Sequence, residues 1–189
     1  GKKLNSPNDV SLSRNGDMYF TDPPYGLPKQ LNDPNKELTF QGVYKLSKSG
    51  ELTLLDSDLK YPNGISFIDN YTRLVVAVSD PENPSWYLYD VTEHGLLTNK
   101  RQFASALKHS FKHRTEGLPD GLKQHTSGAI FATGPGGIWV FSSSAELLAH
   151  ISIKGPVANL AFDESQNYVY LTAKDRLLRI KVKQTMNRY

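Results

Sequence analysis

The chain has 189 residues, of which 38% are hydrophobic and 11% aromatic, and its formal net charge is +3. This composition is typical of a folded domain with a hydrophobic core, and so small a net charge predicts no nucleic-acid partner. No apolar run approaches the roughly 18 residues of a membrane-spanning helix, so we predict no membrane partner. The absence of cysteine excludes disulfides, thiolate nucleophiles and thiolate metal ligands. None of these properties indicates a compartment.

Four segments of similar pattern follow one another along the chain. Each opens with a tetrad whose third residue is polar, and in the first three a proline precedes that residue. The tetrads are SPND, YPNG, LPDG and VANL, with third residues Asn8, Asn63, Asp120 and Asn159. Successive third residues are 55, 57 and 39 positions apart. These spacings are compatible with sheet repeats of about 40–50 residues that carry loop insertions.

Each tetrad is followed by the pattern of a β-hairpin. Seven residues after the polar residue comes a turn signal, at Asn15-Gly16, Asn70-Tyr71, Ser127-Gly128 and Gln166-Asn167. The next runs, MYFT, RLVVAV, AIFAT and YVYLT, are rich in β-branched and aromatic residues, which favours a second strand after a tight turn. A third strand follows in every segment, and in the first three a turn joins it to an outer strand.

These patterns predict an all-β fold, a β-propeller of which four blades are present. The blades are predicted at approximately residues 1–60, 61–117, 118–156 and 157–189. The fourth segment lacks an outer strand, and the first segment opens on an innermost strand. We therefore expect part of a larger ring, within the propeller range of about four to eight blades. We also expect missing N-terminal blades or another chain to cover the open face of the first unit.

The stretches LNSPNDVSLSRNGDMYFTDPPYGL, YPNGISF and GLPDGLKQHTSGAIFATGPGGIWVF occur in this order, before the closing VANLAF, YVYLTA and LLRIKV. Together they resemble the gluconolactonase/regucalcin-like family over nearly the whole chain. The resemblance implies a calcium-dependent lactonase built as a six-bladed β-propeller. This chain would supply its C-terminal four blades, and the first two would be absent.

In that family the polar residues of the three proline tetrads bind a divalent metal in the central channel, which carries the role over to Asn8, Asn63 and Asp120. Amide and carboxylate oxygens suit a hard cation, and the inner strands of a propeller converge on its axis. A single such tetrad is better explained by an Asn or Asp that hydrogen-bonds its own turn. Three tetrads in equal register favour the metal, with Ca²⁺ expected and Mg²⁺, Zn²⁺ or Mn²⁺ as alternatives.

The chain departs from the family in one respect. The family's fourth protein ligand is a glutamate near the start of its first blade, a segment absent here, and only Glu116 lies near a tetrad. A site with one carboxylate and two amides is weak for calcium, because affinity depends on the number of charged ligands.

The resemblance implies a metal-dependent hydrolase that opens the ring of a sugar lactone. Asp120 is then the predicted catalytic base as well as a ligand. Substrate-binding roles are predicted for Asp22, Tyr25 and Asn5, although a structural turn explains Asp22 equally well. The predicted partner is a small lactone.

Two alternatives to the lactonase stay open on the sequence. Related propellers hydrolyse organophosphates, so the same metal site is compatible with a phosphotriester substrate. The chain is also compatible with a non-catalytic propeller fragment that serves as a binding module. No G-x-S-x-G sequence is present, which makes a serine hydrolase of the α/β type a poor alternative.

Overall fold

The computed structural model describes residues 1–110 and 116–182, and nearly all regular structure in these ranges is β-strand. The first sheet contains β1 (Val10–Leu12), β2 (Met18–Asp22), β3 (Gly42–Leu46) and β4 (Leu52–Asp56). The second contains β5 (Pro62–Ile68), β6 (Arg73–Val78), β7 (Ser85–Val91) and β8 (Leu97–Ser105). The third contains β9 (Leu122–Gln124), β10 (Ile130–Gly134), β11 (Gly137–Phe141) and β12 (Leu147–Ser152). The fourth contains β13 (Asn159–Phe162), β14 (Tyr168–Ala173) and β15 (Arg176–Lys181).

Each sheet is an antiparallel meander in which every strand pairs with its neighbour in the sequence. The sheets form a four-bladed propeller arrangement, which confirms the all-β fold class predicted from the repeat. Two short 3₁₀ helices, Gln30–Asn32 and Ala106–Lys108, lie in the connections. Within residues 1–110 and 116–182, no helix is long and apolar enough to cross a membrane.

The predicted hairpin turns are visible in the backbone angles. Gly16 and Gly128 both have φ near +88°, in the left-handed region that glycine adopts without steric cost. Asn70 and Gln166 take φ of +56° and +58° at the corresponding turns of the second and fourth sheets. Asparagine is among the residues that tolerate this conformation best. The turn signals therefore reported local backbone geometry correctly.

The hydrophobic core lies between the blades. Strand β6 shows this best, because Leu74 and Val76 pack toward the first sheet while Val75 and Ala77 pack toward the third. Side chains of a strand alternate between its faces, so a strand covered on both sides reads as a continuous apolar run. This arrangement explains why RLVVAV shows no polar alternation. Trp86 and Trp139 fill the interface between the second and third sheets, and their ring centroids are 5.3 Å apart.

Successive blades approach most closely at their first strands, where two glycines leave room. A Cβ atom on Gly64 would lie 2.0 Å from the carbonyl oxygen of Asp120. A Cβ on Gly121 would lie 2.1 Å from Asn159 Oδ1. In each case the tetrad's last residue is glycine because the backbone or tetrad side chain of the next blade occupies the space of a side chain. The tetrads are therefore packed against one another around the axis.

The fourth tetrad is displaced by one residue from the sequence alignment. In the first sheet Thr21 lies opposite Asp9, and the Thr21 amide donates to the Asp9 carbonyl. In the fourth sheet the corresponding Thr172 lies opposite Asn159. The cause is the hairpin. Residues 13–17 lie between the last paired residues of the first sheet, Leu12 and Met18, whereas residues 163–168, one more, lie between Phe162 and Val169 in the fourth. Asn159 thus occupies the position of Asp9, and Ala158 occupies that of Asn8. The equal register expected for Asn159 is wrong.

The close approach at Gly64 predicts a large cost for an added methyl group. We expect Gly64→Ala to lower the free energy of unfolding by about 2–3 kcal/mol, because the Asp120 backbone must move. Gly128→Ala is the matched control, since its Cβ would meet nothing within 4 Å and only its φ of +88° is unfavourable. That variant should lose about 1 kcal/mol. Equal losses in urea unfolding would contradict the packing described here.

Candidate functional site

The structure brings Asn63 and Asp120 together at the start of neighbouring inner strands. The Gly64 backbone rests against that of Asp120, so the residues on either side of this contact lie close in space. The Asn63 side chain lies close enough to the Asp120 carboxyl to lower its pKa. Asp120 is held in turn by its amide, which donates to Thr133 Oγ1 at 3.1 Å. Two of the three predicted ligands are therefore neighbours.

The Asp120 carboxyl has an unusual protonation behaviour. Burial and, after it, the nearby negative charge of Asp9 together raise its pKa from the ordinary 3.8 to about 7. The nearby Asn63 side chain and Gly121 backbone lower the pKa but are outweighed. A carboxyl group poised near neutral pH can accept a proton from a bound molecule.

Asn63 is almost fully buried, with 7% of its surface exposed. Its amide nitrogen donates to Ser79 Oγ at 2.9 Å. Its amide oxygen is buried and has no hydrogen-bond partner. Buried polar atoms are nearly always paired in native proteins, so an orphan oxygen next to a carboxyl group indicates a place for a missing partner.

The backbone of Asn8 is connected to Asn63 through Thr21. Its amide donates to the Thr21 carbonyl at 2.9 Å, and Thr21 Oγ1 donates to the Asn63 carbonyl at 2.7 Å. The Asn8 side chain is exposed. The following residue, Asp9, is already engaged, since its two carboxylate oxygens accept from the amides of Val10 and Ile65.

Tyr25 lies over the same region from the loop after β2. Burial raises the pKa of its hydroxyl to about 12, so this group is a neutral donor at physiological pH. Ser79 and the charge of Asp120 also affect that pKa, so the hydroxyl lies near both residues. Its ring is parallel to that of Tyr61, with centroids 6.2 Å apart.

Asn5 and Asp22, both predicted to bind substrate, take part in hydrogen bonds within the fold. Asp22 is completely buried, and its oxygens accept from the amides of Asn5 and Ser6 at 2.8 and 2.7 Å. Asn5 is buried as well and donates to the carbonyls of Asp22 and Phe40. Their hydrogen bonds attach the N-terminal segment to the first sheet. These contacts are those expected from the structural alternative for Asp22.

Few of the side chains near Asn63 and Asp120 are of the type that binds a divalent cation. No group of three or more His, Cys, Asp or Glu side chains suited to a metal occurs in residues 1–110 and 116–182. Glu116 does not help, because its carboxylate accepts from the Gly155 amide. The oxygens that do fit are the orphan amide oxygen of Asn63 and the Asp120 carboxyl, both of the hard type that Mg²⁺ and Ca²⁺ prefer.

Sequence reasoning missed Ser79 and Asp9. A signal for Ser79 existed, since a small hydroxyl residue lies next to the C-terminal end of the second strand in every blade: Thr21, Ser79, Thr133 and Thr172. Asp9 stands where the next two tetrads have glycine, and its charge was visible in SPND. Neither could be assigned a role without knowing which strands lie side by side.

A family model described as the SMP-30/gluconolactonase/LRE-like region matches residues 1–175. The chain belongs to this family. A gluconolactonase from Zymomonas mobilis is 36% identical over 185 residues, which is 97% of this chain and 52% of that protein. A lactonohydrolase from Aspergillus oryzae is 26% identical, over 86% of this chain and 40% of that protein.

Two solved structures superpose well on the chain. A gluconolactonase from Xanthomonas campestris has a TM-score of 0.82 at 33% identity, covering 96% of this chain and 58% of that one. The calcium-binding protein regucalcin from Agrobacterium tumefaciens has a TM-score of 0.67 at 18% identity, covering 89% of this chain and 53% of that one. The first supports the family assignment, and the second supports the fold alone. The chain spans about half the length of these relatives.

The raised pKa of Asp120 predicts that this residue opposes folding at neutral pH. The folded protein keeps the Asp120 proton up to about pH 7, whereas the unfolded chain releases it near pH 4. Stability is therefore lost as the pH rises between these values. Asp120→Asn should raise the free energy of unfolding by on the order of 1–2 kcal/mol at pH 8, after allowance for solvent screening, and by little at pH 4.

Urea unfolding at both pH values, with a chelator present, measures this difference. Asp58→Asn is the control, because the side chain of Asp58 is 83% exposed. A stability gain that is the same at pH 4 and pH 8 would show that Asp120 is not a strained carboxylate in the folded protein.

Proposed function

We propose that the protein containing this chain is a metal-dependent lactonase that opens the ring of a sugar lactone. The observation that carries the proposal is that the Asp120 carboxyl lies beside Asn63, whose side-chain oxygen is buried and has no hydrogen-bond partner. Membership in the gluconolactonase family and the 36% identity to a gluconolactonase support the choice of substrate. Because one fold can serve several chemistries, the function is inferred from the residues of the site.

Asn63 and Asp120 would hold a divalent cation, with the exposed Asn8 as a third ligand from the neighbouring tetrad. Calcium is the cation that we propose first, since the ligands are oxygens and include neutral amides. A bound cation of this kind polarises a carbonyl group and lowers the pKa of a nearby water molecule. The neutral amides would leave most of the positive charge of the ion uncompensated.

Asp120 would accept the proton of the attacking water. The water oxygen bonds to the lactone carbonyl carbon, the bond from that carbon to the ring oxygen breaks, and the proton passes to the ring oxygen. The product is an open hydroxy acid, and the net change is the addition of one water. With the cation bound, its positive charge would keep the Asp120 carboxyl ionised, so the carboxylate could accept a proton.

Tyr25 would orient the hydroxylated substrate. Its hydroxyl stays protonated because burial raises its pKa to about 12, so it can donate a hydrogen bond without competing for the proton of the water. Its present contact with the Tyr61 carbonyl, at 3.4 Å, is long for an O–H donor and is easily exchanged for a substrate oxygen.

The proposal predicts that lactone hydrolysis depends on the cation and on Asp120. With the natural-length protein and glucono-lactone, chelator should abolish activity and added Ca²⁺ should restore it. Asp120→Asn should lower kcat/KM by at least about 100-fold, because it removes both a general base and the charged ligand. Asp58→Asn should retain wild-type activity.

Full activity of Asp120→Asn would contradict the role of this residue. A wild-type enzyme that hydrolyses a phosphotriester but no lactone would replace the proposed substrate with an organophosphate. A protein that turns over neither substrate with any of the divalent cations Ca²⁺, Mg²⁺, Mn²⁺ and Zn²⁺ would contradict the proposed function and favour a binding module.

A further inference from the structure

The hydroxyl of Ser79 lies behind the candidate site, where it joins two blades. Ser79 is buried, with 7% of its surface exposed, and directly follows strand β6. Its Oγ donates a hydrogen bond to the Pro119 carbonyl, one residue before Asp120. The same Oγ accepts a hydrogen bond from the Asn63 amide nitrogen at 2.9 Å. Ser79 therefore contacts Asn63 directly and reaches Asp120 through the preceding carbonyl, and it is not itself a predicted ligand.

The direction of these hydrogen bonds is fixed by a count of protons. A serine hydroxyl has one proton, and a carbonyl oxygen can only accept. The Ser79 proton is thus committed to Pro119, and toward Asn63 the hydroxyl can only accept. The atom of Asn63 that faces Ser79 must then be the nitrogen, and the amide oxygen must point the other way.

The opposite orientation of the Asn63 amide is unfavourable. It would place the amide oxygen against the lone pairs of Ser79 Oγ. Two acceptors in contact, buried from water, cost free energy that a paired donor does not. Ser79 therefore selects one of two orientations that are otherwise nearly equal in shape.

We infer that Ser79 is a positioning residue that sets the cation affinity of the site by presenting the oxygen of Asn63. This inference rests on the proposed metal site and adds the element that orients its neutral ligand. Without Ser79 the Asn63 amide is free to turn its nitrogen toward the cation, and an N–H group repels a positive ion. Partners that orient a metal ligand typically account for about 10- to 100-fold in metal affinity.

The test is a titration of Ca²⁺ into the natural-length protein, followed by calorimetry and by the calcium-dependent shift in melting temperature. Ser79→Ala should weaken calcium binding by about 10- to 100-fold. Ser79→Thr keeps the hydroxyl, and threonine stands at the corresponding places Thr21, Thr133 and Thr172. It should bind within about 3-fold of the wild type. Ser66→Ala, a change at a buried serine that donates to the Phe67 carbonyl in the same blade, is the matched control and should leave affinity unchanged.

A second pair of variants, made in an Asn63→Asp protein, distinguishes an effect on amide orientation from a general loss of structure. An aspartate has two equivalent oxygens, so its orientation does not matter. In the Asn63→Asp background, Ser79→Ala should therefore change calcium affinity by less than about 3-fold, even if the alanine lowers the melting temperature. A structural role of Ser79 would instead weaken binding equally in both backgrounds.

The outcomes distinguish this inference from the proposed function. If the wild type binds calcium, Asp120→Asn does not, and Ser79→Ala binds like the wild type, then the inference is wrong and the proposed site stands. Equal losses for Ser79→Ala in the two backgrounds would also overturn it. If the wild type shows no binding by either readout, the proposed site fails and this inference fails with it.

Discussion

The arrangement of this protein depends on how closely neighbouring blades approach one another at their first strands. At Gly64 and Gly121 there is no room for even a methyl group, because the next tetrad occupies that space. This contact sets Asn63 beside Asp120 and fixes which side chains share the axis. The core between the blades, built on residues such as Trp86 and Trp139, then holds the sheets at this spacing. A propeller with wider inner contacts would leave the same side chains too far apart to act together.

The same contact holds two side chains in energetically unfavourable states. Burial and Asp9 hold the Asp120 carboxyl protonated near neutral pH, and the Asn63 oxygen has no partner. Each feature lowers the stability of the folded chain, and neither is needed to build the sheets, since Ala158 takes the place of Asp120 in the fourth blade. Local groups that oppose folding occur most often where a protein binds or reacts. A bound cation would relieve both costs at once.

Much of the fold was predictable because the repeat is local. The turn at Asn15-Gly16 and the apolar run RLVVAV each report the conformation of a few neighbouring residues, and the structure has both as expected. The displacement of Asn159 was not predictable by alignment, because one extra residue in a turn shifts the strand without changing its pattern. The burial of Asp22 and the position of Ser79 depend on contacts between segments that are distant in sequence. The pairing of Asn63 with Asp120, by contrast, followed from equal placement in adjacent blades.

The central claim is that Asn63 and Asp120 form one oxygen-lined cation site at the contact between two inner strands. A crystal structure of the natural-length protein grown with calcium tests it most directly. We expect a cation within about 2.3–2.6 Å of Asn63 Oδ1 and of an Asp120 carboxylate oxygen, with the Asn63 nitrogen on Ser79. A calcium ion bound elsewhere, with Asn63 and Asp120 on separate hydrogen-bond partners, would contradict it.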